Sequence, residues 1–173
     1  MFITAIYRYL KSAGSNFHEV ERGRLYRAAT PSPCSLARWQ ADFGIKTWID
    51  LRIPSDYATN STFFEDQCSS ARRLGIKRIS LPCSDKAPMS DWQIDVGLSL
   101  LTDKGKFPIL FGCKGNRHRA GMLCAVYRMR VCGWSKEKAM EECYKCGYYP
   151  EGHREFDKRF MEVLNAIEAG GVS

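Results

Sequence analysis

The sequence predicts one α/β domain with a mainly parallel central sheet that is flanked by helices. Two observations support this fold class. Apolar segments of strand length alternate with segments of helical periodicity, and neither a repeat nor a linker interrupts that order. The length of 173 residues also suits a single domain with a continuous core. We therefore expect residues 1–173 to form one domain, in which residues 1–20 are a flexible or flanking segment.

The individual elements can be read from apolar runs and from their end signals. The predicted strands are Leu25–Ala28, Ile45–Leu51, Ile76–Leu81 and Phe107–Phe111, and the start of each of the last three is marked by an adjacent Gly or Pro. The predicted helices are Ser35–Phe43, Thr62–Leu74, Ser90–Thr102, Arg117–Cys132, Ser135–Cys146 and His153–Glu168. Ser90 and Gln93 make a capping box, Ser135 suits an N-cap, and Gly133 and Gly147 suit helix C-termini.

The composition indicates a globular protein with anionic partners. Hydrophobic residues make up 45% and charged residues 26%, which is typical of soluble domains, and the net charge of +7 favours phosphate-bearing substrates. No run of five or more Lys or Arg and no zinc-finger spacing occurs, so nucleic acid is not expected as a partner.

Cysteines and the first residues bear on the compartment. Eight cysteines in a chain with a good core are expected to be reduced thiols rather than a disulfide framework. The apolar start at residues 1–7 is too short to cross a bilayer, and Arg8 follows it rather than precedes it. We therefore expect no signal peptide or transmembrane segment, and a cytoplasmic location by default.

The segment from Phe107 to Gly121 carries the chemistry. Cys113 ends an apolar strand, Gly115 and the turn-tolerant Asn116 follow, and a new helix begins. Backbone N–H groups in such a loop, together with the helix N-terminus, bind a phosphate dianion and favour a thiolate. The residues expected to hold the phosphate are Lys114, Gly115, Asn116, Arg117, His118 and Arg119. Cys113 is the predicted nucleophile, and Arg119 is the predicted bidentate clamp.

A second pair with the same spacing, Cys124 and Arg130, lies inside a helical stretch without a glycine. Six residues along a helix place these two side chains on different faces. We therefore predict no phosphate site there.

The Cys113 loop resembles the signature loop of the cysteine-based protein tyrosine and dual-specificity phosphatases, specifically their small atypical microbial members. That signature is His-Cys, five residues, Arg, then Ser or Thr and Gly. The residues that match its basic version are Lys114, Arg117, His118, Arg119 and Gly121. Residues 25–29 with Pro31, and residues 44–52, are similar to the family's opening strands. The resemblance implies a tyrosine-phosphatase-like fold and hydrolysis of phosphomonoesters through a phosphocysteine, without a metal or other cofactor.

Three positions depart from that signature: Gly112 replaces His, Asn116 replaces Gly, and Ala120 replaces a hydroxyl residue. Asn tolerates the left-handed conformation that a loop glycine supplies. Gly112 and Ala120 bear on the efficiency of the chemistry rather than on phosphate binding.

The leaving group needs a proton, and Asp85 is the predicted general acid because its loop follows the third strand. Asp91 and Asp95 are the rivals, although the helix dipole already explains an acidic residue at Asp91. Asp50 and Arg52 are interpreted as a structural ion pair or cap.

Several other residues have two interpretations. His118 either contacts substrate or steadies the loop, and Tyr144, Tyr148 and Tyr149 either form a wall or pack internally. Cys143 and Cys146 form a Cys-x-x-Cys without a second ligand pair, so no metal site is predicted.

The substrate follows from the resemblance and from the loop charge. Phosphotyrosine or mixed phosphoprotein substrates are the first expectation. The charge of Lys114, Arg117 and His118 favours phosphoinositides or inositol polyphosphates as the alternative. A pseudophosphatase that only binds phosphorylated partners is the alternative of another class.

Overall fold

The computed structural model describes residues 15–84, 86–150 and 154–170. Within these ranges five strands form one sheet: β1 His18–Glu21, β2 Leu25–Ala28, β3 Thr47–Asp50, β4 Lys77–Ser80 and β5 Ile109–Gly112. The same ranges contain six α-helices: α1 Pro33–Phe43, α2 Ser61–Arg73, α3 Asp91–Thr102, α4 Arg119–Arg130, α5 Lys136–Lys145 and α6 Arg154–Glu168. Short 3-10 turns lie at Pro54–Asp56, Ala58–Asn60 and Lys104–Lys106.

The sheet has the strand order β1-β2-β5-β3-β4, and β1 is its antiparallel strand. The pairs β2–β5, β5–β3 and β3–β4 are parallel, which confirms the predicted fold class. Strand β5 lies at the centre, where Gly112 is in register with Ala28 on one side and Asp50 on the other. The carboxyl ends of β2, β3 and β5 therefore meet at one edge of the sheet, and the loop that follows β5 begins there.

Apolar side chains cover both faces of the sheet, as a parallel sheet requires. On one face Tyr26, Trp48 and Leu110 pack against Leu36 and Trp39 of α1. On the other face the core is built from helices α3 to α6, and α4 is its centre. Eleven of the twelve residues of α4 are buried, so this helix is held rigidly behind the loop that precedes it.

The elements differ from the sequence prediction in two informative places. Strand β1 was not predicted, because of its four residues only Val20 is buried and the others are polar. Helix α4 begins at Arg119 rather than at Arg117, because residues 117 and 118 belong to the loop. Strand β1 also takes up part of the segment expected to be flexible or flanking, while residues 1–14 lie outside the described residues.

The predicted helix ends are present in the structure. The capping box of Ser90 and Gln93 starts α3, and the Ser135 side chain caps α5. Gly133 and Gly147 both have left-handed backbones, with φ of 67° and 86°.

All eight cysteines lie in the described part of the chain and are free thiols. None of the described helices has both the length and the apolar character needed to cross a membrane.

Candidate active site

The loop between β5 and α4 surrounds a cavity of about 210 Å³. The residues that line it are Cys113, Lys114, Gly115, Arg117, His118, Arg119 and Tyr149. Cys113 and Arg119 are only 4% and 3% exposed, whereas Lys114 and Arg117 are exposed. The cavity therefore combines a sheltered thiol and guanidinium with a basic rim. It lies at the N-terminus of α4, where the helix dipole adds positive potential.

Asn116 shapes this loop from inside rather than facing the cavity. It is fully buried and has a left-handed backbone with φ of 55°. Its side-chain oxygen accepts a bond from Arg27 Nε at 2.9 Å, and its amide nitrogen donates to the Asn16 carbonyl at 2.6 Å. The sequence prediction placed Asn116 among the phosphate-binding residues. With its side chain engaged in this way, its backbone N–H is what remains to face a phosphate.

The N-terminal side of the domain also fastens the loop. Asn16 Nδ2 donates to the carbonyls of Gly115 at 3.0 Å and Cys146 at 2.9 Å. On the other side, the backbone N–H and the hydroxyl of Thr30 donate to the Lys114 carbonyl, both at 3.2 Å. The loop carbonyls therefore point outwards to these donors. The backbone N–H groups of the loop remain available to bind a phosphate in the cavity.

Gly112, which precedes the thiol, sits where no side chain fits. A Cβ added there would lie 2.0 Å from the carbonyl oxygen of Ala28 on β2. Backbone rather than a movable side chain makes this contact, so a larger residue would force β2 and β5 apart. The close approach explains why this chain has glycine at a position where the family signature has histidine.

Arg119 is held in place by the carboxylate of Asp56, which was not predicted from the sequence. Asp56 lies at the end of the 3-10 turn after β3, and its two oxygens accept from Arg119 Nη1 at 2.6 Å and Nη2 at 3.2 Å. Nη1 also donates to the Cys83 carbonyl at 3.0 Å. Both ion-pair side chains are 4% exposed. The guanidinium is thus preorganised from two loops before any substrate arrives.

The environment of Asp56 makes it a poor proton donor. Burial opposes ionisation of this carboxyl, but hydrogen bonds from Arg119 and from the Ile53 N–H outweigh it and hold its pKa below the ordinary value. A general acid must be protonated at the working pH. Asp56 therefore acts as an anion that orients Arg119.

The predicted acid, Asp85, lies outside the described residues. The chain on either side of it is described, and the carbonyl of Cys83 accepts from Arg119. Cys83, two residues before Asp85 in the same loop, therefore lies beside the Arg119 guanidinium.

The rival acids line another cavity. Asp91 pairs with Arg159, and Asp95 pairs with Arg130 at 3.1 Å. These four residues border a cavity of about 230 Å³ between α3, α4 and α6, whereas the cavity at Cys113 is lined by neither aspartate.

His118 and Tyr149 form one side of the cavity. His118 Nε2 is 2.8 Å from the Tyr149 carbonyl oxygen, and the two rings meet edge to face with centroids 4.8 Å apart. Tyr149 is half exposed, and the Arg117 guanidinium lies over its ring at 5.8 Å. Of the three tyrosines named from the sequence, Tyr149 alone lines this cavity. His118 thus both steadies the loop and borders the site.

Other residues singled out from the sequence have structural roles. Asp50 accepts two bonds from the Arg52 side chain, at 2.8 and 2.9 Å, and both residues are buried, which confirms the structural ion pair. Cys124 is buried inside α4, while Arg130 reaches Asp95 in the other cavity. Burial raises the pKa of the Cys143 thiol to about 12.

Sequence reasoning missed Asp56 and the part that Arg27 plays under the loop. A signal for Asp56 existed, because it follows β3, and β3 is the parallel neighbour of β5, the strand that leads into Cys113. Loops after the carboxyl ends of adjacent parallel strands converge. The role of Arg27 had no local signal, since it depends on a partner 89 positions away.

Comparison with known proteins gives matches to phosphatases. Residues 13–169 match the sequence model described as the tyrosine phosphatase family. The dual specificity protein phosphatase TpbA of Pseudomonas aeruginosa is 28% identical over 127 residues, which cover 73% of this chain and 53% of that protein. The inositol diphosphatase DSP4 of Arabidopsis thaliana is 27% identical over 150 residues, covering 87% of this chain and 72% of that protein. The chain thus spans about half the length of TpbA.

Solved structures share the fold. The crystal structure of P. aeruginosa TpbA superposes with a TM-score of 0.70 at 22% identity and covers 93% of each chain. The core catalytic domain of the PP-IP phosphatase SIW14 from S. cerevisiae superposes with a TM-score of 0.71 at 18% identity and covers 90% of each chain.

Proposed function

Because this chain belongs to the tyrosine phosphatase family of cysteine-dependent hydrolases, we propose that it hydrolyses phosphomonoesters through a phosphocysteine on Cys113. The observation that carries the proposal is the cavity at the N-terminus of α4 that Cys113 and Arg119 both line. A phosphate seated there is surrounded by loop amides, by the helix dipole and by the guanidinium held on Asp56.

The reaction has two displacement steps. The Cys113 thiolate attacks phosphorus, a sulfur–phosphorus bond forms, and the bond to the leaving oxygen breaks while Asp85 donates a proton to that oxygen. Asp85, now a carboxylate, then takes a proton from water, which attacks phosphorus. The sulfur–phosphorus bond breaks, phosphate leaves, and the thiolate is restored. Arg119 holds two phosphoryl oxygens throughout and stabilises their charge in both transition states.

Phosphotyrosine and mixed phosphoprotein substrates are the first candidates, in keeping with TpbA, which is named a dual specificity protein phosphatase. Inositol polyphosphates are the second, and a specific observation favours them. Lys114, Arg117 and His118 give the cavity a basic rim, and no acidic residue is among those that line it in the described chain. Arg117 is held there, because it lies beside Gly147 and over Tyr149. Additional phosphates on one small substrate would contact this rim.

A direct comparison separates these candidates. Steady-state kinetics are measured with a phosphotyrosine peptide and with an inositol polyphosphate, for the parent and for Arg117→Ala. Loss of one charge-assisted contact should lower kcat/KM for the inositol substrate by about 10-fold or more and affect the peptide less. Arg72→Ala, which removes an exposed charge on α2, is the matched control. Equal losses for both substrates would remove the argument for the inositol class.

The pseudophosphatase alternative is tested in the same series. Binding of phosphate or vanadate without any turnover of an aryl phosphate would favour a docking module over an enzyme.

A further inference from the structure

The guanidinium of Arg27 lies directly beneath the phosphate loop and is 1% exposed. Its Nε donates to the Asn116 side-chain oxygen at 2.9 Å, and its Nη2 donates to the Asn116 carbonyl at 2.6 Å. Nη2 also lies against the first turn of α4, since a methyl group at Gly121 would be 3.7 Å from it. One side chain therefore contacts both the loop and the helix that together form the phosphate site.

This buried cation has no carboxylate partner among the described residues. The acidic side chain whose charge couples to Arg27 is Glu142, and its two oxygens accept from Arg128 at 2.6 and 3.0 Å. Within the described chain, Nη1 of Arg27 lacks a hydrogen-bond partner. A buried charge without a counter-ion is costly. The position of Arg27 therefore needs negative charge from another source.

The groups that surround Arg27 leave one candidate for that charge. His18 on β1 has a pKa lowered by burial and by Arg27 itself, so it is a neutral neighbour. The thiols that couple to Arg27 are Cys124, Cys146, Cys143 and Cys113. Burial raises the pKa of Cys124 and of Cys143 to about 12, and it raises that of Cys146 as well. These three stay neutral at pH 7. Cys113 is the remaining thiol, and it begins the loop that Arg27 contacts through both bonds to Asn116.

The residue before the nucleophile cannot supply a cation to this loop. Gly112 has no side chain, and the Ala28 carbonyl occupies the space that a Cβ would need. The neighbouring strand supplies one instead, because Arg27 pairs in register with Phe111, two residues before Cys113.

We propose that Arg27 is a positioning residue for the site, which fixes the loop through Asn116 and stabilises the thiolate of Cys113 with a buried positive charge. The proposal rests on the proposed function only in taking Cys113 as the nucleophile. It assigns to β2 the electrostatic support that Gly112 cannot give.

The test measures the thiolate without substrate. Alkylation of Cys113 by iodoacetamide is followed from pH 4 to 10 by mass spectrometry of its peptide, and free cysteine alkylated under the same conditions serves as the reference. The proteins compared are the parent, Arg27→Met, Arg27→Lys and Leu36→Ala. Leu36→Ala removes buried apolar volume from the core between the sheet and α1, on the sheet face that carries Trp48. It therefore lowers stability without changing charge.

In Arg27→Met the pH of half-maximal Cys113 alkylation should rise by about one unit, the lower end of the effect of a neighbouring opposite charge. Arg27→Lys keeps the charge and should retain the parent midpoint. Its turnover should fall, because the paired hydrogen bonds from Arg27 Nε and Nη2 to Asn116 are lost. An unchanged midpoint in folded Arg27→Met, or an equal rise in Leu36→Ala, would overturn the proposal. If Arg27→Met does not fold, Arg27→Gln makes the same comparison.

The outcomes also separate this inference from the proposed function. A parent whose Cys113 alkylates with the midpoint of free cysteine contradicts both. A parent with a low midpoint that turns over no aryl phosphate contradicts the proposed function alone.

Discussion

Asp56 binds both terminal nitrogens of Arg119, at 2.6 and 3.2 Å, inside a site from which water is largely excluded. This contact sets the orientation of the group that clamps the phosphate. It also joins the loop after β3 to the first residue of α4, so that the site is assembled across the centre of the sheet.

Replacing Asp56 by Asn should lower kcat/KM by about 10- to 100-fold, the scale of one hydrogen bond to a charged group. The reason is that Arg119 loses the anion that fixes its plane while Cys113 is untouched. Kinetics with an aryl phosphate measure the effect. Asp95→Asn, which removes a partly exposed ion pair with Arg130, is the control and should change little. Parent-like kinetics in Asp56→Asn would show that Arg119 is oriented without it.

The same carboxylate makes a pH-dependent contribution to stability. The folded pKa of Asp56 lies below its ordinary value of 3.8, so its contribution is fully present above that value and is lost as the pH falls through the folded pKa. Thermal unfolding from pH 7 to 2 should therefore show Asp56→Asn less stable than the parent at neutral pH. The two curves should converge below about pH 4. A constant difference down to pH 2 would contradict this assignment.

The loss of turnover on replacing Asp85 should depend on the leaving group. Asp85→Asn is expected to lower turnover strongly for alkyl phosphates and weakly for activated aryl phosphates, because a good leaving group needs little protonation. Asp91→Asn is the matched control, since Asp91 pairs with Arg159 beside a different cavity. Equal losses for both substrate classes in Asp85→Asn would mean that another group donates the proton.

Gly112 should be intolerant of any side chain. In Gly112→Ala the new Cβ would meet the Ala28 carbonyl oxygen at 2.0 Å, which should cost about 1–3 kcal/mol of stability and lower the Tm by roughly 2–12 °C. Gly115→Ala is the control for stability, because its Cβ would meet its nearest neighbour at 3.9 Å. An unchanged Tm in Gly112→Ala would mean that the strands adjust without loss.

Ala120 is expected to separate the two chemical steps. Members of the family carry a hydroxyl here, and Ala cannot donate a hydrogen bond to the departing thiolate. With an activated aryl phosphate we predict a burst of product followed by slow turnover, because hydrolysis of the phosphocysteine is the slower step. Ala120→Ser should shrink the burst and raise the steady rate by about 10- to 150-fold. A linear trace in both proteins would show that the hydroxyl is dispensable.

The sequence was sufficient where local pattern decides structure. The apolar runs of β2 and β5 and the serine caps of α3 and α5 are present in the structure. Strand β1 could not be predicted, because a polar edge strand of four residues has little hydrophobic signal and is stabilised by pairing with β2.

For the site as well, the sequence predicted residues that are close together in the chain and missed those that act from distant positions. Cys113 and Arg119 lie in one continuous segment that runs from the loop into the first residue of α4, and the structure brings both into one cavity. Asp56, in the turn after β3, and Arg27, on β2, act on that segment from 63 and 89 positions away from their partners. Such contacts are fixed by strand order, which a single sequence does not specify.

We infer that turnover proceeds through a phosphate bound to Cys113. Mass spectrometry of the acid-quenched enzyme after mixing with an aryl phosphate tests it most directly, using the parent, Cys113→Ser and Cys124→Ser. The account predicts one phosphate on the Cys113 peptide in the parent and in Cys124→Ser, and neither phosphoenzyme nor turnover in Cys113→Ser. Turnover in Cys113→Ser at the parent rate, or phosphate on a different residue, would contradict it.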